Sequence, residues 1–415
     1  MDKAGMIGEH RAGHFSAFAA PHPMTIPSFT PVQMIERLIA FDTTSAKSNL
    51  ALIEWVEAYL AEHGIPSRFI YNEARNKANL YATIGPQDVG GIVLSGHTDV
   101  VPVLGQAWTS DPFKLVERDG RLYGRGTADM KSFIAVALAL VPEIAQRKLA
   151  TPIHLAFSFD EEVGCIGVVP MIREIVAELP RPRLIIVGEP TEMKVVNAHK
   201  GVMALETRVV GREGHSSGTH RGASAIIAAA ELIHFLAGIA EELAARPPRP
   251  GSSDGEFDPP YTTLNVGTIE GGTALNIIPN ECTFVWECRP LPGTADGEEI
   301  LTRFNEFAER KVTPRLKAVT EKGGVFTRVL VTVSALTPEP DSPAEILALA
   351  MTGENRAGVV AYGSEAGLFQ AAGIPAVLCG PGNIAQAHQP DEFITLQQVR
   401  ACEAFLRRIV ERCAA

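Results

Sequence analysis

Gly91-Ile92-Val93-Leu94-Ser95-Gly96-His97-Thr98-Asp99 is the stretch on which the reading of this chain turns. The apolar run Gly91–Leu94 predicts a short buried strand. The polar residues after it then fall where a strand of an open α/β sheet ends, and such sheets place their sites there. His97 can offer one ring nitrogen to a metal ion, and Asp99 can accept a hydrogen bond from the other, fixing the tautomer. Taken alone, a His and an Asp two residues apart also fit ordinary turn chemistry.

The same design recurs along the chain. Leu184-Ile-Ile-Val187-Gly-Glu189-Pro-Thr again runs from four apolar residues into a carboxylate. Phe157-Ser-Phe-Asp-Glu161-Glu162-Val-Gly runs from an apolar strand into adjacent acids. Two Gly-rich segments, Gly124-Arg-Gly-Thr-Ala-Asp129-Met-Lys-Ser and Cys379-Gly-Pro-Gly-Asn-Ile-Ala-Gln-Ala-His388-Gln-Pro-Asp-Glu392, add an Asp and a His. Each has a plain alternative. Asp129 can cap the apolar helix that begins near Ser132, Glu161-Glu162 can be a solvated strand end, Glu189 can belong to a turn before Pro190, and His388 can be a loop histidine. Together they form a set of His, Asp and Glu without Cys, which suits zinc, cobalt or manganese.

The bulk composition is that of a globular protein able to carry such a site. A chain of 415 residues exceeds one ordinary core, so two domains are expected. Its 37 basic and 48 acidic residues leave a net charge of −11, and no basic stripe suggests a nucleic-acid partner. No run of 18 apolar residues predicts a membrane-spanning helix. The six cysteines, at 165, 282, 288, 379, 402 and 413, form no Cys-x-x-Cys pair and read as thiols of a reducing cytoplasm. Met1–Pro27 holds three His and three Pro and lacks a secretory h-region. It reads as an N-terminal extension, either disordered or preceding a natural start at Met24.

Periodicity predicts helices over Pro31–Ala40, Leu50–His63 and Ser132–Ile144, with strands at 79–84, 91–95, 153–159 and 184–188. That alternation implies an α/β fold with a mixed, mainly parallel sheet. After Lys194 the order becomes strand 202–210, helix 223–245, strands 262–270 and 282–288, helix 298–312 and strand 326–335. This β-α-β-β-α-β order predicts a ferredoxin-like α+β domain inserted at 194–335, between 28–193 and 336–415. Strands at 359–362 and 376–378 follow the return to the first domain.

In combination and order, these motifs resemble those of the M20 peptidases, a dinuclear zinc aminoacylase and carboxypeptidase family. The resemblance extends from about Thr30 to the C-terminus. Phe41-Asp-Thr-Thr-Ser45, Ser48-Asn-Leu50, Glu365-Ala-Gly-Leu-Phe-Gln and Ala387-His388-Gln-Pro-Asp-Glu-Phe are most similar to its acetylornithine deacetylase branch. The resemblance implies a zinc-peptidase-like catalytic domain carrying a lid and dimerisation insert. It implies two divalent ions per subunit, Zn2+ first and Co2+ as the alternative. Asp129 would bridge them, with His97 and Glu189 on one and Glu162 and His388 on the other. Glu161 would be the general base, Asp99 would orient His97, and the Asp129–Met130 peptide would be cis. His215 would stabilise the oxyanion of the partner subunit in a homodimer formed through the insert. Arg289 would clamp a substrate carboxylate, and Asn276, in the loop Gly271–Pro279, would belong to a substrate loop. Ser364 and Glu365, in a Gly-rich loop, are expected to face substrate.

The implied reaction removes the acyl group from a small-molecule N-acyl amino acid, with N2-acetyl-L-ornithine first. A desuccinylase, a general aminoacylase or a dipeptidase of the same family would share the site chemistry. A binding protein on this fold that had lost catalysis would lack at least one of these ligands or the base, and all are present.

Overall fold

The computed structural model describes residues 28–415, so the expectations for the first 27 residues lie outside the described residues. Eight strands form the main sheet, in the spatial order 67–71, 78–84, 153–158, 92–97, 184–190, 376–380, 196–199 and 358–360. Ile92–His97 runs parallel to both Ile153–Ser158 and Leu184–Pro190, and Ala376–Gly380 runs parallel to Leu184–Pro190. Antiparallel pairing joins 67–71 to 78–84 and 78–84 to 153–158. The sheet is therefore mixed and mainly parallel in the middle, as expected. Its central strands are buried along their whole length, as a strand covered on both faces must be. One face packs against helices Pro31–Ile39, Leu50–Glu62, Lys131–Ala139 and Leu396–Cys413. The other packs against Val168–Glu178 and Ala366–Ala371.

A second sheet holds four antiparallel strands in the order 263–271, 281–289, 202–210 and 324–333. Helices Ala225–Ala244 and Asp296–Phe307 cover one of its faces. The β-α-β-β-α-β order is observed. Trp286, Phe284 and Phe304 pack with Leu232 and Leu236 in that core. None of the helices among the described residues is long and apolar enough to cross a membrane.

Local chemistry explains the differences from expectation. The helix expected over Ser132–Ile144 divides into Lys131–Ala139 and Val141–Ala145, because Pro142 has no N–H to continue the ladder. The helix expected to end at Val312 passes through one π turn, Ala308–Val312, into Thr313–Lys317. Periodicity missed helices Val168–Glu178, Pro343–Thr352 and Leu396–Cys413, and the small sheet of 116–118, 121–123 and 393–395. That small sheet matters. Pairing of Phe393–Thr395 with Arg121–Tyr123 draws the end of the His388 loop against the segment that leads to Asp129.

Candidate metal centre

Three parallel neighbours of the main sheet end side by side, and their ends carry the acids and the histidine. His97 closes Ile92–His97, Glu161 and Glu162 follow Ile153–Ser158, and Glu189 is the second-last residue of the strand Leu184–Pro190. Asp129 precedes the helix Lys131–Ala139, across a cis peptide to Met130. His388 comes in from the loop between Ala376–Gly380 and Phe393–Thr395.

Two sets of ligand-type atoms converge there. Atoms of His97, Asp129 and Glu189 lie within 4.8 Å of one another, as do atoms of Asp129, Glu162 and His388. Asp129 belongs to both sets and divides its oxygens between them. Oδ1 is 3.0 Å from His97 Nε2, and Oδ2 is 3.3 Å from His388 Nε2. His388 Nε2 is also 3.1 Å from Glu162 Oε2. Glu162 Oε1 and Glu189 Oε1 are buried and have no hydrogen-bond partner within the protein. A buried carboxylate oxygen left unpaired is costly, and a divalent cation in each set would satisfy it. The donor set fits two hard or borderline divalent ions.

The electrostatics agree with that fit. Burial raises the pKa of Glu189, Glu162 and Glu161, and the neighbouring carboxylates raise Glu189 and Glu162 further. Glu161 is pushed up to about 8. Burial also acts to raise Asp129, but its hydrogen bonds to His388 and His97 outweigh it and hold this carboxylate below the usual range. Hydrogen bonds to Asp129 and Glu162 raise His388 to about 10. So many acids in one buried space call for positive charge among them.

Asp99 meets the His97 ring, but through its main chain rather than its carboxylate. His97 Nδ1–H donates to the backbone carbonyl of Asp99 at 2.9 Å, while the nearer carboxylate oxygen stands 3.7 Å away. The Asp99 carboxylate accepts instead from the backbone N–H groups of Glu161 and Glu162, at 3.1 and 3.2 Å, and from the Ser45 hydroxyl at 2.7 Å. A two-residue turn lets the carbonyl reach the ring first. The carboxylate is then free to cap the turn that carries both acids. Cys165 adds a thiol that donates to Glu161 Oε1 at 3.2 Å. Glu161 itself belongs to neither ligand set.

A cleft of about 680 Å³ opens above these groups. Asp129, Glu161, Glu162, Glu189 and His388 form its floor. The four-stranded sheet supplies a wall containing Arg289, Glu287, Val331 and Val333. Glu287 Oε2 lies 3.1 Å from Arg289 Nη2 and aims the guanidinium. Of the residues expected to meet substrate, four do not line this cleft. Ser364 and Glu365 are fully buried and do not line it, although the chain just before them, Ala361, Tyr362 and Gly363, does. His215 and Asn276 sit together and exposed on the short ladder 214–215/277–278, where Ser216 N–H donates to the Asn276 carbonyl. Sequence reasoning also missed Ser45, Cys165 and Glu287 as contributors.

Comparison with known proteins agrees with this geometry. Residues 93–412 match the model of peptidase family M20/M25/M40. The chain is 37% identical over 382 residues to an acetylornithine deacetylase of Myxococcus xanthus, covering 91% of this chain and 95% of that one. It is 35% identical to an acetylornithine deacetylase of Pasteurella multocida, covering 93% and 98%. Among solved structures, an M20 family metallo-carboxypeptidase from Sulfolobus solfataricus superposes with a TM-score of 0.70 at 17% identity, covering 92% of this chain and 98% of that one.

Proposed function

The chain belongs to peptidase family M20/M25/M40, and from that membership we propose that it is a metal-dependent amidohydrolase whose substrate is N2-acetyl-L-ornithine. The observation that carries the chemistry is the split of Asp129, one oxygen toward each of two ligand sets, with Glu161 left outside both. His97, Glu189 and Asp129 would hold one divalent ion, and Glu162, His388 and Asp129 the other, Zn2+ or Co2+ in each. Bound there, the pair would supply Lewis acidity that polarises the amide carbonyl and acidifies a water.

The protein's own groups do the rest. Glu161 takes the proton of the attacking water and passes it to the amide nitrogen as the C–N bond breaks. Oxygen is added to the acyl carbon, so acetate and ornithine leave. The Cys165 thiol occupies Glu161 Oε1, which leaves Oε2 for the proton. Asp99 holds the backbone of the turn that aims Glu161. Arg289 receives the substrate carboxylate, while Glu287 beside it offers a partner for the side-chain ammonium.

Relatives of that name, covering more than nine-tenths of this chain, support the choice of acyl amino acid. The domain layout expected from sequence belongs to this reading. Residues 194–335 form a lid over a catalytic domain of 28–193 and 336–415, and two lids join in a homodimer. We place the protein in the cytoplasm, consistent with six free cysteines.

The test is a hydrolysis screen with added Zn2+ or Co2+. N-acetyl-ornithine, succinyl-diaminopimelate, N-acetyl-norvaline and simple dipeptides are compared. We expect the highest kcat/KM for N-acetyl-ornithine, with N-acetyl-norvaline lower by about 10-fold or more for want of the ammonium. Faster hydrolysis of another substrate would reassign the specificity, and no metal-dependent hydrolysis would refute the proposal.

A further inference from the structure

Beneath the metal centre lies a buried ion pair that takes no part in the chemistry above. Arg125 and Glu392 each expose about 1% of their side chains, and Arg125 Nη1 is 2.6 Å from Glu392 Oε2. The Glu392 carboxylate accepts three further hydrogen bonds, all from the backbone that leads into Asp129. Gly126 N–H donates to Oε2 at 3.1 Å, and the N–H groups of Ala128 and Asp129 donate to Oε1 at 2.8 and 3.1 Å. Four donors satisfy a buried charge that would otherwise be expensive. They also fix the backbone of the residue shared by both ligand sets.

The other end of the same guanidinium reaches the other loop. Arg125 Nη2 donates to Gln106 Oε1 at 2.5 Å, and Gln106 Nε2 donates to the backbone carbonyl of His388 at 2.8 Å. Trp108 holds Gln106 from the side, its Nε1–H donating to the same Oε1 at 3.0 Å. His388 needs such a tether. Its side chain is half exposed, so packing does not hold it, and its φ is +63°, a left-handed conformation that a non-glycine residue keeps only when its surroundings impose it.

We propose that Glu392, Arg125 and Gln106 form a positioning clamp that couples Asp129 to His388 and thereby sets the affinity of the Asp129–Glu162–His388 site for its metal ion. The inference rests on the dinuclear reading given above. Glu162 approaches from a third element and is held by Asp99, so the clamp acts on two of three ligands there. In the His97–Asp129–Glu189 site it acts on Asp129 alone. Loss of the Gln106 arm affects only the second site. Loss of Glu392 loosens Asp129, and the second site, which also loses the line to His388, suffers more.

The experiment titrates the metal-free full chain with Co2+, following heat and the visible spectrum, for the wild type, Gln106→Leu and Glu392→Gln. Gln106→Leu removes the tether and one acceptor of Arg125 Nη2 but keeps the hydrogen bond between Arg125 Nη1 and Glu392. Glu392→Gln replaces one acceptor oxygen with a donor that faces other donors. The expected result is a second-equivalent Kd raised about 10- to 100-fold in each variant, the range usual for partners that hold metal ligands, with a smaller effect on the first equivalent. For Gln106→Leu the first equivalent should stay within about twofold of wild type. Wild-type affinity for both ions in Gln106→Leu overturns the proposal, as does equal weakening of the two sites. If Glu392→Gln does not fold, Gln106→Leu decides alone. A wild-type chain that takes up no second Co2+ sinks the dinuclear reading and the clamp with it, whereas two ions bound normally in every variant sink the clamp alone.

Discussion

Asp99 and Glu161 show how much one side chain's partners decide. A carboxylate two residues after His97 could have served the imidazole, but here the backbone carbonyl serves it and the carboxylate holds the turn of Glu161 and Glu162. Two variants separate these jobs. Glu161→Gln keeps every ligand, so both metal ions should stay bound while kcat falls by about a thousandfold or more for want of the base. Retention of a tenth of wild-type kcat would remove Glu161 from that role. Asp99→Asn leaves His97 its carbonyl partner but gives the turn one acceptor oxygen in place of two. Its first-equivalent metal affinity should remain within about threefold of wild type, while kcat drops by about 10-fold or more. A large loss of that affinity would give the Asp99 carboxylate, and not only its carbonyl, the role of orienting the ring.

Among the elements, the main sheet carries two buried histidines that must stay neutral. His154, on Ile153–Ser158, accepts the Gly91 N–H on Nε2 at 3.0 Å. His199, at the end of Val196–His199, accepts the Gly367 N–H on Nε2 at 3.3 Å. Burial lowers both to about 4. In the unfolded chain they take up protons near pH 6.5, so the unfolded state binds more protons between pH 6.5 and 4. Their contribution is complete above pH 6.5 and is lost as pH falls toward 4, on the order of 3 kcal/mol for each. Urea unfolding of the metal-free protein at steps from pH 7 to pH 4 reads this directly. In His154→Gln, stability should start lower at pH 7 but fall less steeply with acid. Parallel pH profiles for variant and wild type would exclude His154 as a source of the slope.

For the whole molecule, the question is what completes the cleft. His215 and Asn276 lie outside it, on a ladder where His215 pairs with Ile277 and exposed Leu275 is close by in the chain. A second copy of the chain would cover that apolar edge and bring His215 to the partner's substrate, to stabilise the developing oxyanion. Mixing His215→Ala with Glu161→Gln subunits tests this. About half of randomly exchanged dimers are mixed, and each has one site with both an intact base and an intact partner histidine. Activity should therefore recover to roughly a quarter of wild type. If exchange is verified and nothing recovers, His215 serves its own subunit or none.

The motif-bearing strands, the parallel centre of the main sheet and the β-α-β-β-α-β order of the second were legible in the chain, because each is a local pattern of apolar runs and their lengths. The meeting of His97, Glu162 and Glu189 was legible for a related reason, since parallel strands align their ends, whereas Asp129 and His388, from a helix start and a loop, were joined to them only by the resemblance of their motifs to the family. Contacts made by groups of no particular pattern were decided only by the fold. Which oxygen of Asp99 meets His97, the burial of Ser364 and Glu365, and the joining of Glu392 to Asp129 across more than 260 residues are such contacts. A buried polar atom takes whichever partner the packed backbone sets within about 3 Å, and no spacing along the chain encodes that distance.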